Sequence, residues 1–388
     1  MSSDAPTIRL PRSDGTVAPY EMAAPRRFAP PAAPLRSRVL YAAVHVVSDP
    51  LDEDGAGHGI DWEATMAFRR HVWRHGLGVA EAMDTAQRGM GLSHDATREL
   101  IRRSCAEAQA AGGRIACGAV TDGLPADAHP SLDQIVAAYA EQGHDIERHG
   151  GRVVLMGSRH LARVARGPND YRHVYDAVLS ELDGPVVIHW LGEMFDPQLA
   201  GYWGSRDLDE ATDVCVGILQ EYAAKIDGIK LSLLDAEREV ALRRRLPEGV
   251  RMYSGDDFHY DDLILGDAQG HSDGLLGIFD AIAPAAASAV AALDAGDEDG
   301  YRDALSPTVP FARHVFAAPT FRYKTGLVFL AYLNGHQDHF RMLGGQQSAR
   351  SVLHLAEAFR LADQAGLLDD PPRAARRMGC FLDLSGVT

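Results

Sequence analysis

The chain contains 388 residues, of which 46% are hydrophobic and 24% charged, values typical of a globular protein and unlike those of disordered or fibrous chains. Its 38 basic and 54 acidic side chains give a formal net charge of −16, which argues against nucleic-acid binding. Because no apolar stretch is long enough for a membrane span and no basic-then-apolar leader is present, we predict a cytoplasmic protein without a membrane segment. The four cysteines are far apart in sequence, which predicts reduced thiols rather than a zinc site or a disulfide framework.

The first part of the chain is rich in proline, alanine and arginine and has no apolar period. Proline fixes the backbone in extended conformations, so residues 1–37 are predicted to form an extended N-terminal arm. The composition leaves two states open, an arm docked on the protein or a partner and an unattached tail.

A regular alternation of apolar runs and helical patterns begins at residue 38. The eight apolar runs, each short enough for a buried strand, are 38–47, 76–83, 114–121, 152–158, 185–192, 226–234, 250–255 and 273–280. Ser131 with Gln134, and Asp207 with Glu210, have the spacing of helix capping boxes between these runs. Eight strand–helix units predict an α/β protein with a (β/α)8 TIM barrel at 38–284. An open doubly wound sheet is disfavoured because the chain has no G-x-G-x-x-G loop.

Residues 285–388 carry helical patterns throughout, each with one apolar face. They are predicted to form a helical C-terminal subdomain. The predicted domains are therefore the arm at 1–37, the barrel at 38–284 and this subdomain.

Barrels of this kind carry their active sites where the strands end, so polar residues at the ends of the apolar runs are the candidates. Lys230 is the strongest of them, because the chain has only three lysines against 35 arginines. Arginine stays protonated and cannot act as an amine nucleophile. If Lys230 points into the barrel, loss of water would lower its pKa and favour the neutral amine that a Schiff base requires. From the residues alone, a structural ion pair with a carboxylate is the favoured alternative.

Four segments in order carry a resemblance to a known family: L-S-H-D-A-T-R-E-L-I at 92–101, G-I-K-L-S at 228–232, S-G-D-D at 254–257, and 321–335 with Lys324. Together they resemble the dihydrodipicolinate synthase and N-acetylneuraminate lyase superfamily, the Schiff-base aldolase-type TIM barrels. The resemblance implies a lyase or aldolase in which Lys230 forms an imine with a small-molecule carbonyl substrate. It implies no cofactor or metal, and a homo-oligomer, a dimer or a tetramer.

The chain departs from the family pattern at two strand ends. The family's carboxylate-binding segment is replaced by E-A-M-D-T-A-Q-R-G at 81–89, whose acidic residues would repel a substrate carboxylate. His189 takes the position of the family's proton-relaying tyrosine, and imidazole can transfer protons near neutral pH.

The predicted site has Lys230 as nucleophile and His189 as proton relay. The predicted substrate-binding residues are Asp84, Thr85, Asp122, Ser232, Ser254 and Asp256. The substrate is expected to be a keto acid or a hydroxylated, sugar-derived carbonyl compound, cleaved by a retro-aldol step or dehydrated. Aromatic residues in the loop after His189, namely Phe195, Tyr202 and Trp203, either wall a sugar or serve ordinary loop packing.

Two alternatives stay open. One is a metal-dependent isomerase or class II aldolase, with nitrogen and oxygen ligands drawn from His45, Glu81, Asp122, His189 and His259. No H-x-H or H-E-x-x-H pair supports it. The other is a non-catalytic member that binds a ligand.

Overall fold

The computed structural model describes residues 6–52 and 59–387. Within these ranges, eight parallel strands form a closed barrel in which neighbours along the chain are neighbours in the sheet. The barrel strands are β3 (Leu40–Ala43), β4 (Gly78–Glu81), β5 (Ile115–Ala119), β6 (Arg152–Leu155), β7 (Val186–Leu191), β8 (Ile226–Ser232), β9 (Arg251–Ser254) and β10 (Asp273–Leu276). Each lies within one of the eight apolar runs, so the predicted TIM barrel is confirmed.

The chain divides into two compact units, which we call the barrel unit (38–44 and 77–277) and the helical unit (1–37, 45–76 and 278–388). The barrel unit contains all eight barrel strands. Its helices are α2 (His94–Ala111), α3 (Leu132–Arg148), α4 (Arg159–Val164), α5 (Pro168–Glu181), α6 (Leu208–Glu221), α7 (Ala236–Arg243) and α8 (Tyr260–Leu265).

The helical unit contains the predicted C-terminal helices and an antiparallel hairpin of β1 (Thr7–Pro11) and β2 (Val17–Glu21), which the sequence patterns did not indicate. Its helices are α1 (Trp62–Arg74), α9 (Phe279–Asp294), α10 (Glu298–Leu305), α11 (Val309–Val315), α12 (Lys324–Asn334), α13 (Val352–Gln364) and α14 (Pro371–Leu384). In the described ranges, no helix has both the length and the apolar character that a bilayer crossing requires.

The described part of the N-terminal arm is attached to helices of its own unit. The Tyr20 hydroxyl and the Ala23 backbone N–H both donate to the Asp363 carboxylate of α13, at 2.8 and 2.9 Å. Further along, the backbone N–H groups of Arg36 and Ser37 donate to Asp294 at the end of α9. These contacts favour the docked arm over the unattached tail.

Side-chain caps fix where several helices of the barrel unit begin. Ser131 and Gln134 form the predicted reciprocal capping box at the start of α3. At α6 the Asp207 carboxylate accepts from two backbone N–H groups, while the Glu210 carboxylate accepts from the Ser205 hydroxyl. Both helix starts were therefore located correctly, although the second is capped mainly by Asp207.

A layer of buried side chains fills the lower lumen of the barrel. It is formed by inward-facing residues of successive strands, including Tyr41, Ala80, Ala116, Val154, Val187, Tyr253 and Leu275. Gly228 is the β8 residue in register with Val187 of this layer. A Cβ atom there would lie 2.7 Å from the Tyr253 ring and from the Arg251 carbonyl oxygen, so only glycine leaves room for Tyr253. Because side chains alternate along a strand, Lys230 and Ser232 face the same way as position 228.

We expect Gly228→Ala to lower the free energy of unfolding by about 1–3 kcal/mol, because the added methyl group overpacks the lumen. Gly379→Ala in α14 is the control: its Cβ would meet no atom within 4 Å, and alanine favours a helix by about 0.5–1 kcal/mol. Calorimetry should show a lower Tm for the first variant and an equal or higher Tm for the second. An unchanged Tm in Gly228→Ala would contradict this packing of the lumen.

Candidate active site

Backbone strain is concentrated in the loops that follow the barrel strands. Among the described residues, four non-glycine residues have positive φ: Ala82 and Gln87 after β4, Trp203 after β7 and Leu234 after β8. Such conformations cost energy and persist where the surrounding structure enforces them, often at functional sites. The carboxyl ends of the strands are therefore the face on which to look for an active site, as the barrel fold also indicates.

Lys230 lies on β8, in register with His189 of β7 and Tyr253 of β9. Tyr253 belongs to the lumen layer, so Lys230 beside it also faces the lumen. The residue is only 5% exposed. Burial lowers the pKa of Lys230, and the negative charges of Asp84 and Asp257 partly oppose that effect. The amine therefore loses its proton more readily than a lysine in water.

His189 is fully buried next to Lys230. Its Nε2 lies 3.2 Å from the Ser232 hydroxyl, and its Nδ1 has no hydrogen-bond partner among the residues described. Burial holds the pKa of His189 well below its ordinary value, and the positive charge of Lys230 adds to the effect. A histidine with one unpartnered nitrogen among the described residues, beside an amine, has the geometry of a proton relay, while its lowered pKa makes it a weaker base than imidazole in water.

Two carboxylates in other loops, Asp84 and Asp257, act on Lys230 through their charge. Asp84 begins a short 3-10 turn, Asp84–Ala86, directly after β4, and Thr85 is buried within that turn. Asp257 follows β9 and is 3% exposed. The structure therefore brings together Lys230, His189, Asp84 and Ser232 of the predicted set.

Asp122, predicted to bind substrate, forms an ion pair instead with Arg88. The Arg88 guanidinium donates twice to its carboxylate, at 2.7 and 2.9 Å, and the Gln142 side chain donates at 2.9 Å. Burial alone would raise the pKa of Asp122. The hydrogen bonds and the charge of Arg88 outweigh that effect and hold this pKa well below its usual range. These contacts tie the loops after β4 and β5 together.

Ser254 and Asp256 also have partners within their own surroundings. Because Tyr253 faces the lumen, Ser254 faces the helices, and its hydroxyl donates to Glu239 of α7 at 3.1 Å. Burial raises the pKa of Glu239 to about 8. The Asp256 carboxylate accepts from the backbone N–H groups of Phe258 and His259, at 2.8 and 3.1 Å, and so shapes the loop after β9.

The five residues considered as metal ligands are dispersed. The Glu81 carboxylate accepts from the Ser104 hydroxyl of α2 at 2.6 Å, outside the lumen. His259 Nδ1 lies 3.0 Å from Asp256, and in the helical unit His45 Nδ1 lies 2.7 Å from Asp280. Over residues 6–52 and 59–387, no three His, Cys, Asp or Glu side chains form a group that could hold a metal ion.

Two of the three aromatic residues after β7, Tyr202 and Trp203, pack among other aromatic rings. The Tyr202 ring centroid lies 4.9 Å from that of Tyr171, and the Trp203 centroid lies 4.8 Å from that of Tyr175. Both Tyr202 and Trp203 are buried. Their contacts favour the loop-packing interpretation over a sugar-binding wall.

Asp257 is the site residue that sequence reasoning did not select. It stands beside Asp256 in S-G-D-D, and the sequence offers no signal that distinguishes the carboxylate whose charge acts on Lys230 from the one that shapes the loop. The two roles depend on the turn that follows β9.

Solved structures with the same fold include several dihydrodipicolinate synthases. The enzyme from Oceanobacillus iheyensis is 14% identical with a TM-score of 0.61, and the match covers 83% of this chain and 95% of that one. The enzyme from Bacteroides thetaiotaomicron is 14% identical with a TM-score of 0.63, over 84% and 99%. A putative family protein from Coccidioides immitis is 16% identical with a TM-score of 0.56, over 82% and 90%. At these identities the likeness confirms the resemblance at the level of the fold.

Comparisons based on sequence detect less similarity to known proteins than comparisons based on structure. No curated protein sequence matches the chain. One family model, described as "Protein of unknown function (DUF993)", matches residues 8–387. Because that range spans almost the whole sequence, the chain belongs to the DUF993 family.

Proposed function

We propose that this protein is a lyase or aldolase that forms a Schiff base between Lys230 and a small carbonyl substrate. The observation that carries the proposal is the buried, inward-facing amine, whose pKa burial lowers, beside a neutral histidine. The fold shared with dihydrodipicolinate synthases supports it, because in such barrels the strand ends hold the reacting groups.

The first step is attack of the neutral Lys230 amine on the carbonyl carbon. The new C–N bond gives a carbinolamine, and the carbonyl oxygen then leaves as water with two protons from the amine. Protonation of the imine nitrogen makes the adjacent carbon an electron sink. In retro-aldol cleavage, the β-hydroxyl loses its proton and becomes a carbonyl as the Cα–Cβ bond breaks and its electrons form an enamine. In dehydration, loss of the Cα proton forms the enamine, which then expels a β-hydroxyl group that leaves as water with a proton. Both reactions are therefore accessible from the same iminium ion.

His189 is the proposed proton relay for these steps. It lies on the neighbouring strand at the level of Lys230, and burial keeps its imidazole neutral. Ser232, at 3.2 Å from Nε2, orients the ring and leaves Nδ1 for proton exchange. Asp84 and Thr85 are proposed to bind substrate, while Asp122, Ser254 and Asp256 act indirectly by fixing the surrounding loops.

We expect borohydride to trap a covalent adduct in the wild type when it is presented with keto acids and hydroxylated carbonyl compounds, detected by intact mass. Lys230→Ala should abolish the trapping, because the nucleophile is gone. Lys225→Ala is the matched control, since Lys225 donates to the Leu182 carbonyl at 2.7 Å, outside the lumen. Equal trapping in the two variants would reject the assignment of the nucleophile.

For His189→Phe we expect imine formation to persist. The turnover rate of the substrate that forms the imine should fall by about 10²–10⁴-fold, the usual contribution of a general acid–base group. Stopped-flow turnover and borohydride trapping of the same sample separate the two steps. Loss of trapping in folded His189→Phe would show that the histidine is required earlier than a relay would be.

A further inference from the structure

Glu239 of α7 carries a buried carboxyl group that the proposed reaction does not use. The residue is only 1% exposed. One carboxyl oxygen accepts a hydrogen bond from the Ser272 hydroxyl, just before β10, at 2.7 Å, and the other accepts from the Ser254 hydroxyl, at the end of β9, at 3.1 Å. In the described ranges these two serines are its only hydrogen-bond partners. Because a hydroxyl group can donate to a carboxylate or accept from a carboxylic acid, the serines fit either protonation state of Glu239.

The surroundings of Glu239 favour its neutral form. Arg243, one turn later on α7, forms its ion pair with Asp267 at 2.9 Å and contacts the Ser272 hydroxyl at 3.3 Å. The carboxylate of Asp256 carries a charge of the same sign as an ionised Glu239. Burial raises the pKa of Glu239 to about 8, and the charge of Asp256 adds to that effect. The hydrogen bonds of the two serines and the charge of Arg243 oppose the rise in this pKa without cancelling it.

Hydrogen bonds connect Glu239 to the loop after β9. The Ser254 hydroxyl, which donates to Glu239, also accepts from the backbone N–H of Asp256 at 3.3 Å. The Asp256 carboxylate in turn accepts from the backbone N–H groups of Phe258 and His259, and its second oxygen lies 3.0 Å from His259 Nδ1. The loop is therefore tied to α7 through a buried acid.

We infer that Glu239 is a positioning residue that holds the loop after β9 closed as a neutral acid, and that opening of this loop to water releases its proton. In water a glutamate side chain titrates near pH 4.3, so an opened loop carries an ionised Glu239 at neutral pH, and rising pH favours opening. Asp257 belongs to this loop and its charge acts on Lys230, so opening changes the electrostatic environment of the amine. The inference does not require that Lys230 form a Schiff base.

Hydrogen exchange of the whole protein, followed by mass spectrometry, tests this coupling. Glu239→Gln keeps a neutral side chain at every pH. Residues 255–260 have the same sequence in both proteins, so their intrinsic exchange rates cancel in a ratio. The exchange rate of this segment in the wild type, divided by that in Glu239→Gln, should rise about tenfold per pH unit between about pH 5 and 7. The ratio should level off above about pH 8, where the closed loop also loses the proton.

Two controls restrict the effect to this loop. Glu237→Gln, at an exposed position of the same helix, should exchange like the wild type at every pH. Residues 132–148, which form α3, should show a constant ratio of wild type to Glu239→Gln in the same samples, because no hydrogen bond joins α3 to Glu239.

Ser272→Ala gives a second test if Glu239→Gln does not fold. The hydrogen bond from Ser272 lowers the pKa of Glu239, so its loss should move the levelling-off to higher pH. The exchange rate of 255–260 relative to the wild type should then rise only above about pH 8. A ratio that does not change with pH, in whichever variant folds, would overturn the inference. An equal rise in α3 would also overturn it, because Glu239 would then be exposed by unfolding of the barrel unit and not by opening of the loop.

Discussion

The proposed chemistry depends on the removal of water from one amine. An isolated ammonium group in a protein interior is costly, so burial shifts Lys230 toward its neutral form. Asp84 and Asp257 act in the opposite direction and make the buried lysine tolerable without removing the effect of burial. His189, itself neutral because it is buried, completes a pair of groups that can exchange a proton. The reactivity of the site is therefore a balance between desolvation and two negative charges.

The rest of the barrel unit supports that balance. Gly228, two residues before the lysine on β8, leaves room for the Tyr253 ring in the packed lumen layer beside Lys230. The ion pair of Arg88 and Asp122 fixes the loop that carries Asp84. The Asp256 carboxylate fixes the turn next to Asp257 through backbone N–H groups. A reacting group is held in place when the residues around it are themselves locked by packing and hydrogen bonds.

The barrel and the position of Lys230 could be predicted from sequence because both rest on local patterns, namely the alternation of apolar runs with helical periods and the scarcity of lysine. The roles of Asp122, Ser254 and Asp257 could not. Lys230 faces the lumen, whereas Ser254 faces the helices. Side chains alternate along each strand, but only the pairing register shows which residues of a strand face the lumen. Asp122 was assigned to substrate because it follows the third apolar run, and its partner Arg88, 34 residues away in sequence, could not be identified without the structure. Asp257 could not be distinguished from its neighbour without the turn geometry.

The ionisation of Lys230 tests the central claim most directly. The chain has only three lysines, so NMR of protein labelled at the lysine ε-carbon gives a spectrum of three signals that variants can assign. A pH titration should show that the signal missing in Lys230→Met titrates clearly below the ordinary lysine pKa of about 10.4. If that signal titrates at or above the ordinary value, the amine is not desolvated in the way described, and the Schiff-base mechanism loses its basis.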